Sequence, residues 1–250
     1  MPQHATQAIV LHTTDYAESD RIVSLYSRDF GKLRGIAKGA KKSLRRFGSS
    51  LEPFTHNQVT FFDRDTHGLV RLERCQIMRA YPEISADVKK LVLGSYLLEL
   101  VDTLTAEKEP HPEIFDLLQF FTGLLIGKVF REELLRLFEL RLFCYLGYQP
   151  QFQQCMLCRD QFKLQECYKF SVHRGGIVCP RCQGQVPELL PLSNGTIRLF
   201  QHAQGLDFAQ LSRLYFSQIA HDESRRIFGR FLEFHIGHRP RSLEILGQLS

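Results

Sequence analysis

Long apolar runs are missing from this 250-residue sequence. The nearest approach, residues 117–127, is too short to span a bilayer and is broken by Gln119 and Thr122, so no membrane association is expected. Residues 1–6 lack the basic-then-apolar order of an export signal, and neither a leader nor an anchor is expected. There is no phosphate-cradling glycine loop of the Walker type, no internal repeat and no low-complexity segment, and the ten histidines form no spaced motif. One further absence concerns a single sign of charge: residues 30–51 contain no Asp or Glu.

That same stretch holds seven cations, Lys32, Arg34, Lys38, Lys41, Lys42, Arg45 and Arg46, whereas the whole chain carries a net charge of only +5. The remainder is therefore net acidic and the positive charge is local. Alternation along a strand places Lys32, Arg34 and Lys38 on one face and Leu33 and Ala37 on the other. A basic face followed by the turn-like Gly39-Ala40 and the cluster Lys41, Lys42, Arg45 and Arg46 suits a phosphate backbone, although charge runs are also common on plain solvated surface. Phe47, Phe54, Phe61 and Phe62 lie close by in sequence; in a small barrel such rings more often fill the core than stack on bases.

The most specific chemistry is a pair of Cys-x-x-Cys motifs, Cys155/Cys158 and Cys179/Cys182, with twenty residues between them. This spacing predicts one structural zinc per chain held by four thiolates, because two intervening residues let both sulfurs of a pair face one ion. Between the pairs, residues 168–172 read as a strand, Gly175-Gly176 as a turn and Ile177-Val178 as the return. Seven cysteines, an odd number, fit a reducing cytoplasm better than a disulfide framework. Cys167 is a possible substitute ligand, and Cys75 and Cys144 read as small core hydrophobes.

The pattern changes near Tyr81-Pro82. Before it, residues 7–12, 21–27, 32–38, 56–62 and 69–75 alternate between turn signals, predicting a five-stranded barrel of the oligonucleotide-binding (OB) type, with an SH3-like barrel as the alternative. After it, helical spacing links Val88 to Leu104, Ile114 to Leu125 and Leu134 to Leu142, predicting three antiparallel helices. A further stripe at Ile227, Phe228, Phe231 and Leu232 predicts another helix, with Asp222 as its N-cap. The expected class is therefore α+β and multidomain. A barrel domain covers residues 1–80 and a helical domain residues 81–250, with the zinc module inserted at residues 152–186.

No catalytic constellation stands out. His111-Pro112-Glu113 with Cys179 and Cys182 echoes a zinc deaminase, but the spacing is poor and Pro112-Glu113 reads equally as a helix start. Asp15, Glu18 and Asp20, or Asp63 and Asp65, form short acidic clusters of the kind that usually faces solvent.

Residues 11–54 read LHTTDYAESDRIVSLYSRDFGKLRGIAKGAKKSLRRFGSSLEPF. The order of D-Y-x-E-S-D, D-F-G-K-L, A-K-G-A-K-K and L-E-P-F strongly resembles the N-terminal region of the RecO family, bacterial DNA repair and recombination mediators, and the resemblance extends over nearly the whole chain. It implies an OB barrel, a helical domain, a zinc module and a non-enzymatic, cytoplasmic, nucleoid-associated protein. Such a protein binds single- and double-stranded DNA, anneals complementary strands, associates with RecR and helps load the recombinase onto DNA coated by single-strand-binding protein. Phosphate contact then falls to the seven cations, foremost Lys41, Lys42, Arg45 and Arg46. For the acidic tail of single-strand-binding protein, Lys128 and Arg131 beside Phe130 are the candidates, equally readable as helix caps. An interaction scaffold whose basic patch binds acidic protein tails, and a zinc-dependent deaminase or hydrolase, remain as alternatives.

Overall fold

Five strands built on alternating residues open the chain: β1 (Gln3–Tyr16), β2 (Asp20–Ser27), β3 (Gly31–Ala37), β4 (His56–Phe62) and β5 (Leu69–Arg79). The computed structural model describes residues 2–63, 68–127 and 130–248. The strands close into a barrel in the order β1-β2-β3-β5-β4, antiparallel throughout except for the β3–β5 pair, which is the OB arrangement. β1 pairs with both β2 and β4, and a register shift between Val10 and His12 accompanies its turn from one neighbour to the other.

Inward positions of every strand meet in one core of Ala8, Val10, Val23, Leu25, Leu33, Val59, Phe61, Val70 and Leu72. Each large member contributes about 1.5–3 kcal/mol by leaving water. The loop between β3 and β4 adds Ala40, Phe47 and Leu51 as a plug. Gly35 is required where β3 crosses β5, since a Cβ there would lie 2.7 Å from the Leu72 side chain.

α1 (Pro82–Ser85), α2 (Val88–Leu104) and α3 (Pro112–Leu125) follow the barrel. The Asp87 carboxylate caps α2 by accepting the Lys90 N–H at 3.1 Å. Val88 and Leu91 are exposed, while Leu93, Tyr96, Leu97, Leu98, Leu100 and Val101 are buried. The helix is packed around most of its circumference, so its pattern is nearly continuous rather than striped. Beyond it come α4 (Glu133–Tyr145), β6 (Lys169–Ser171), β7 (Gly176–Val178), β8 (Leu189–Pro191), α5 (Asn194–Gly205), α6 (Phe208–Leu211), α7 (Gln218–Ile236) and α8 (Arg241–Gln248).

These elements group into two compact units, residues 1–130 with 240–250, and residues 131–239. The three helices expected together are thus divided: α2 and α3 belong with the barrel, and α4 with the second unit. In the first unit the Glu99 carboxylate accepts the N–H groups of Arg241 at 2.8 Å and Ser242 at 3.0 Å, which fastens the start of α8 to α2. In the second, Phe143, Phe152, Phe170, Phe200, Phe228 and Phe231 form an aromatic core beside the sheet β7-β6-β8. The Arg141 guanidinium donates to the carbonyls of Gln204, at 2.9 Å, and Leu206, tying α4 to the end of α5. The N-cap of α7 is Ser217, whose hydroxyl accepts the Ala220 N–H; Asp222 lies inside the helix and accepts from Gln218 at 3.1 Å.

Candidate nucleic-acid interface and metal centre

The basic loop between β3 and β4 is held by the turn between β1 and β2. The Asp20 carboxylate accepts the Gly39 N–H at 2.8 Å, and the Ser19 carbonyl accepts the Lys41 N–H at 3.0 Å. Gly39 takes a positive φ of 67°, which lets the chain leave β3 sharply. The Gly39 N–H is the main influence holding the Asp20 carboxyl below its ordinary value. Within the loop, the Arg46 guanidinium donates to the Lys38 carbonyl at 2.9 Å and the Ser43 hydroxyl at 3.0 Å and lies over the buried Phe47 ring at 5.1 Å.

Around this scaffold Lys38, Lys41, Lys42 and Arg45 are exposed and Arg46 is half-buried. A cavity of about 400 Å³ is lined by Ser43, Arg45, Arg46 and Arg74. Arg74 comes from β5 and escaped the sequence reading. Strict alternation from the inward Leu72 turns residue 74 inward as well. The ladder, however, pairs Thr60 with Arg74 and Phe61 with Leu72, so Glu73 is an extra residue in a bulge and Arg74 swings out.

Two of the seven cations are placed elsewhere. Lys32 is only 13% exposed, donates to the Asp102 carbonyl and lies 3.9 Å from the Asp102 carboxylate. Arg34 faces Glu107 at 3.9 Å. The same outer face of β2 and β3 is covered further: Ser24 donates to Asp102 at 2.8 Å, the buried Tyr26 hydroxyl to the His111 carbonyl at 3.3 Å, and the Lys108 N–H to the Lys32 carbonyl at 2.9 Å. Lys41, though exposed, pairs with Asp15 at 3.0 Å, and this contact leads the influences lowering the Asp15 carboxyl. Phe47, Phe54 and Phe61 lie inside the barrel unit and present no ring to solvent.

In the second unit, the ligand atoms of Cys155, Cys158, Cys179 and Cys182 all lie within 4.8 Å of one another. Two tight turns arrange them: the Arg159 N–H donates to the Cys155 carbonyl at 3.1 Å and the Cys182 N–H to the Cys179 carbonyl at 2.9 Å. The Sγ atoms of Cys158 and Cys179 are 3.6 Å apart. That is too long for a disulfide, at about 2.05 Å, and close to the roughly 3.8 Å edge of a tetrahedron with zinc–sulfur bonds of about 2.3 Å. The donor set therefore fits a closed tetrahedral metal site. Burial raises the Cys155 thiol, but N–H groups of Cys179, Cys158 and Leu157 bring it down to about 6, whereas burial leads in pushing the Cys179 thiol up to about 12 and in raising Cys182, so the sulfurs titrate as one linked group. An Arg181–Asp160 ion pair joins the two turns. Cys167 is exposed and outside the group. Burial pushes the Cys75 thiol up to about 12 and the Cys144 thiol to about 11, leaving both unreactive.

The remaining candidates are dispersed. Among the described residues the cysteine group is the one metal-type cluster, and it includes neither His111 nor Glu113. Asp63 pairs with Lys108 at 2.8 Å, and Asp65 lies outside the described residues. Lys128 also lies outside them, while Arg131 donates to the Ser212 carbonyl at 2.8 Å and sits 3.9 Å from the centre of the Tyr215 ring. A larger cavity of about 510 Å³ is lined by residues that include His173, Glu188, Arg230 and Glu233, and these pair as His173–Glu188 and Arg230–Glu233. No helix of the described residues is long and apolar enough to cross a membrane.

Comparison with known proteins agrees with both halves of this description. Residues 1–81 match the family described as Recombination protein O N terminal, and residues 85–244 the one described as Recombination protein O C terminal. The DNA repair protein RecO of Syntrophus aciditrophicus (strain SB) is 36% identical over 248 residues, covering 98% of this chain and 96% of that protein. Those of Anaeromyxobacter dehalogenans (strain 2CP-C) and Pelobacter propionicus (strain DSM 2379 / NBRC 103807 / OttBd1) are each 32% identical, covering 96% and 98% of this chain and 94% and 96% of their own lengths. With an OB barrel, a helical remainder and a four-cysteine cluster matched across nearly its full length, the chain belongs to the RecO family of DNA repair proteins.

Proposed function

We propose that this RecO-family chain is a non-catalytic recombination mediator that binds single- and double-stranded DNA through its basic loop and anneals complementary strands. With RecR, it helps load the recombinase onto DNA coated by single-strand-binding protein. The observation that carries DNA contact is the cavity where Arg45 and Arg46 meet Arg74, flanked by the exposed Lys38, Lys41 and Lys42. Phosphate oxygens suit such a fork-shaped set of donors, and neutralising two backbones at once lowers the repulsion that slows annealing. Lys32 takes a structural part in this reading, because its charge is buried against Asp102, while Arg34, exposed and 3.9 Å from Glu107, stays with the phosphate-contact residues.

The four cysteines hold one structural zinc per chain in a module spanning residues 152–186, in a protein that works in the cytoplasm at the nucleoid. A closed thiolate site leaves no position for water, so the ion supports folding rather than hydrolysis. Lys128 and Arg131 remain the candidates for the acidic tail of single-strand-binding protein.

The test replaces Lys38, Lys42, Arg45 and Arg74 with alanine and titrates single-stranded DNA at several salt concentrations. The slope of log affinity against log salt should flatten by close to 3, from about 0.7 per lost contact, equally for all sequences, and annealing should fall with it. A folded variant with unchanged affinity and slope moves the DNA site elsewhere, and selective loss of binding to an acidic peptide favours the scaffold alternative.

A further inference from the structure

Tyr16 closes β1 and is 51% exposed. It is the exposed Phe or Tyr ring among the described residues of the barrel, since Tyr26, Phe47, Phe54 and Phe61 are buried and Phe30 and Phe62 half-buried. The backbone on either side of it is tied to the basic loop. The neighbouring Asp15 carboxylate lies 3.0 Å from the Lys41 ammonium and 3.3 Å from Arg21. Three residues further on, Ser19 and Asp20 hold the N–H groups of Lys41 and Gly39. The turn bearing the ring and the loop bearing the charge are thus one assembly, anchored on both sides of Tyr16.

We infer that Tyr16 is a stacking platform for an unpaired base whose phosphates lie on the basic loop, and that it makes the barrel prefer single strands over duplex. The inference rests on the basic loop being the DNA site. A duplex keeps its bases stacked on one another and offers the ring no face, so the cations serve both forms of DNA while the ring serves one. As two strands pair, the base leaves the tyrosine and the product is held by charge alone. Base pairing itself gives annealing its direction, and the weaker hold on the paired product eases its release from the surface. Base–aromatic stacking is sequence-tolerant, because every base has a π face, and so is compatible with binding that carries no base readout.

The experiment uses the full chain with Tyr16→Ala and Tyr16→Phe, titrated against a fluorescent single strand and the matching duplex at one salt concentration and then across salt. Alanine should weaken single-strand binding about tenfold, within the range of one lost stacking contact, and leave duplex affinity and salt slope unchanged. Phenylalanine should behave as wild type. Single strands carrying 5-iodouracil should photocross-link to the peptide containing Tyr16. Unchanged single-strand affinity in the alanine variant overturns the inference, as does an equal loss for single strand and duplex, or a phenylalanine variant as weak as alanine. The quadruple loop variant in the same assay separates the two ideas. If it is impaired while Tyr16→Ala is not, the stacking role alone is wrong; if it binds both DNAs like wild type, the loop reading has failed.

Discussion

The Asp20 carboxylate accepts the Gly39 N–H at 2.8 Å, so the first residue of β2 sets where the basic loop begins, nineteen positions later. Asp20→Ala should loosen the loop without removing any cation. Single-strand affinity should fall severalfold while the salt slope stays near its wild-type value, since the same phosphates are still met. The contribution also depends on pH. The folded carboxyl titrates below its ordinary value of 3.8, so the stabilisation is complete above that value and disappears as pH falls through the lower folded one. Acid denaturation below about pH 4 should be steeper in wild type than in the alanine variant.

Lys32 and the loop cations should separate cleanly. Lys32→Ala removes a charge-assisted bond to the Asp102 carbonyl and should cost about 1–3 kcal/mol of stability, read by urea denaturation, with no change in salt slope. A flattened slope with unchanged stability would return Lys32 to the DNA surface.

Purified protein should carry about one zinc per chain by elemental analysis, and Cys158→Ser should lose it and lower the melting temperature. Full zinc occupancy in a variant with all four cysteines changed to serine would rule the site out. The salt slope of DNA binding should not respond to the loss, as a closed ion meets no phosphate.

His56 makes the barrel unit sensitive to mild acid. It is buried, its Nδ1 lies 3.0 Å from Gln119 Nε2, and its Nε2 has no partner among the described residues. Burial, and then the charge of Arg79, holds its pKa below 6.5. The unfolded chain therefore takes up a proton before the folded one does. Stability should be full above about pH 7 and decline as pH falls below about 6.5. His56→Gln should flatten this decline between pH 7.5 and 5.5, while His235, also lowered by burial, gives the second unit a decline of its own.

The features legible in the sequence were those set by local spacing. Four sulfurs that converge within 4.8 Å announce themselves through two short gaps, and the β4 strand was read to the residue because His56 to Phe62 alternate between turns. What was hidden depends on a distant partner or an interruption of period. Lys32 looks like a surface cation until Asp102, seventy residues on, meets it. Arg74 looks inward until the bulge at Glu73 resets the alternation. The sequence points to Asp222 rather than Ser217 as the cap of α7 because the first turn buries only the small Ala220 and leaves Ile219 exposed, so the large apolar stripe starts later than the helix. β8 and α6 are too short to show a period at all.

The segment that runs along β3 has a consequence for cutting the gene. Gly31 has no room for a Cβ, which would lie 2.1 Å from the Glu109 carbonyl oxygen, and Lys32, Ser24 and Tyr26 all spend their polar atoms on residues 102–111. A fragment stopped at residue 81 would turn this contact into a wet surface, with the Tyr26 ring uncovered and the Lys32 ammonium stranded. Such a piece would stick to itself through a face that other OB barrels reserve for oligonucleotides, and its DNA affinity would describe that artificial face. The shortest transplantable unit of this barrel therefore carries α2 and α3 with it.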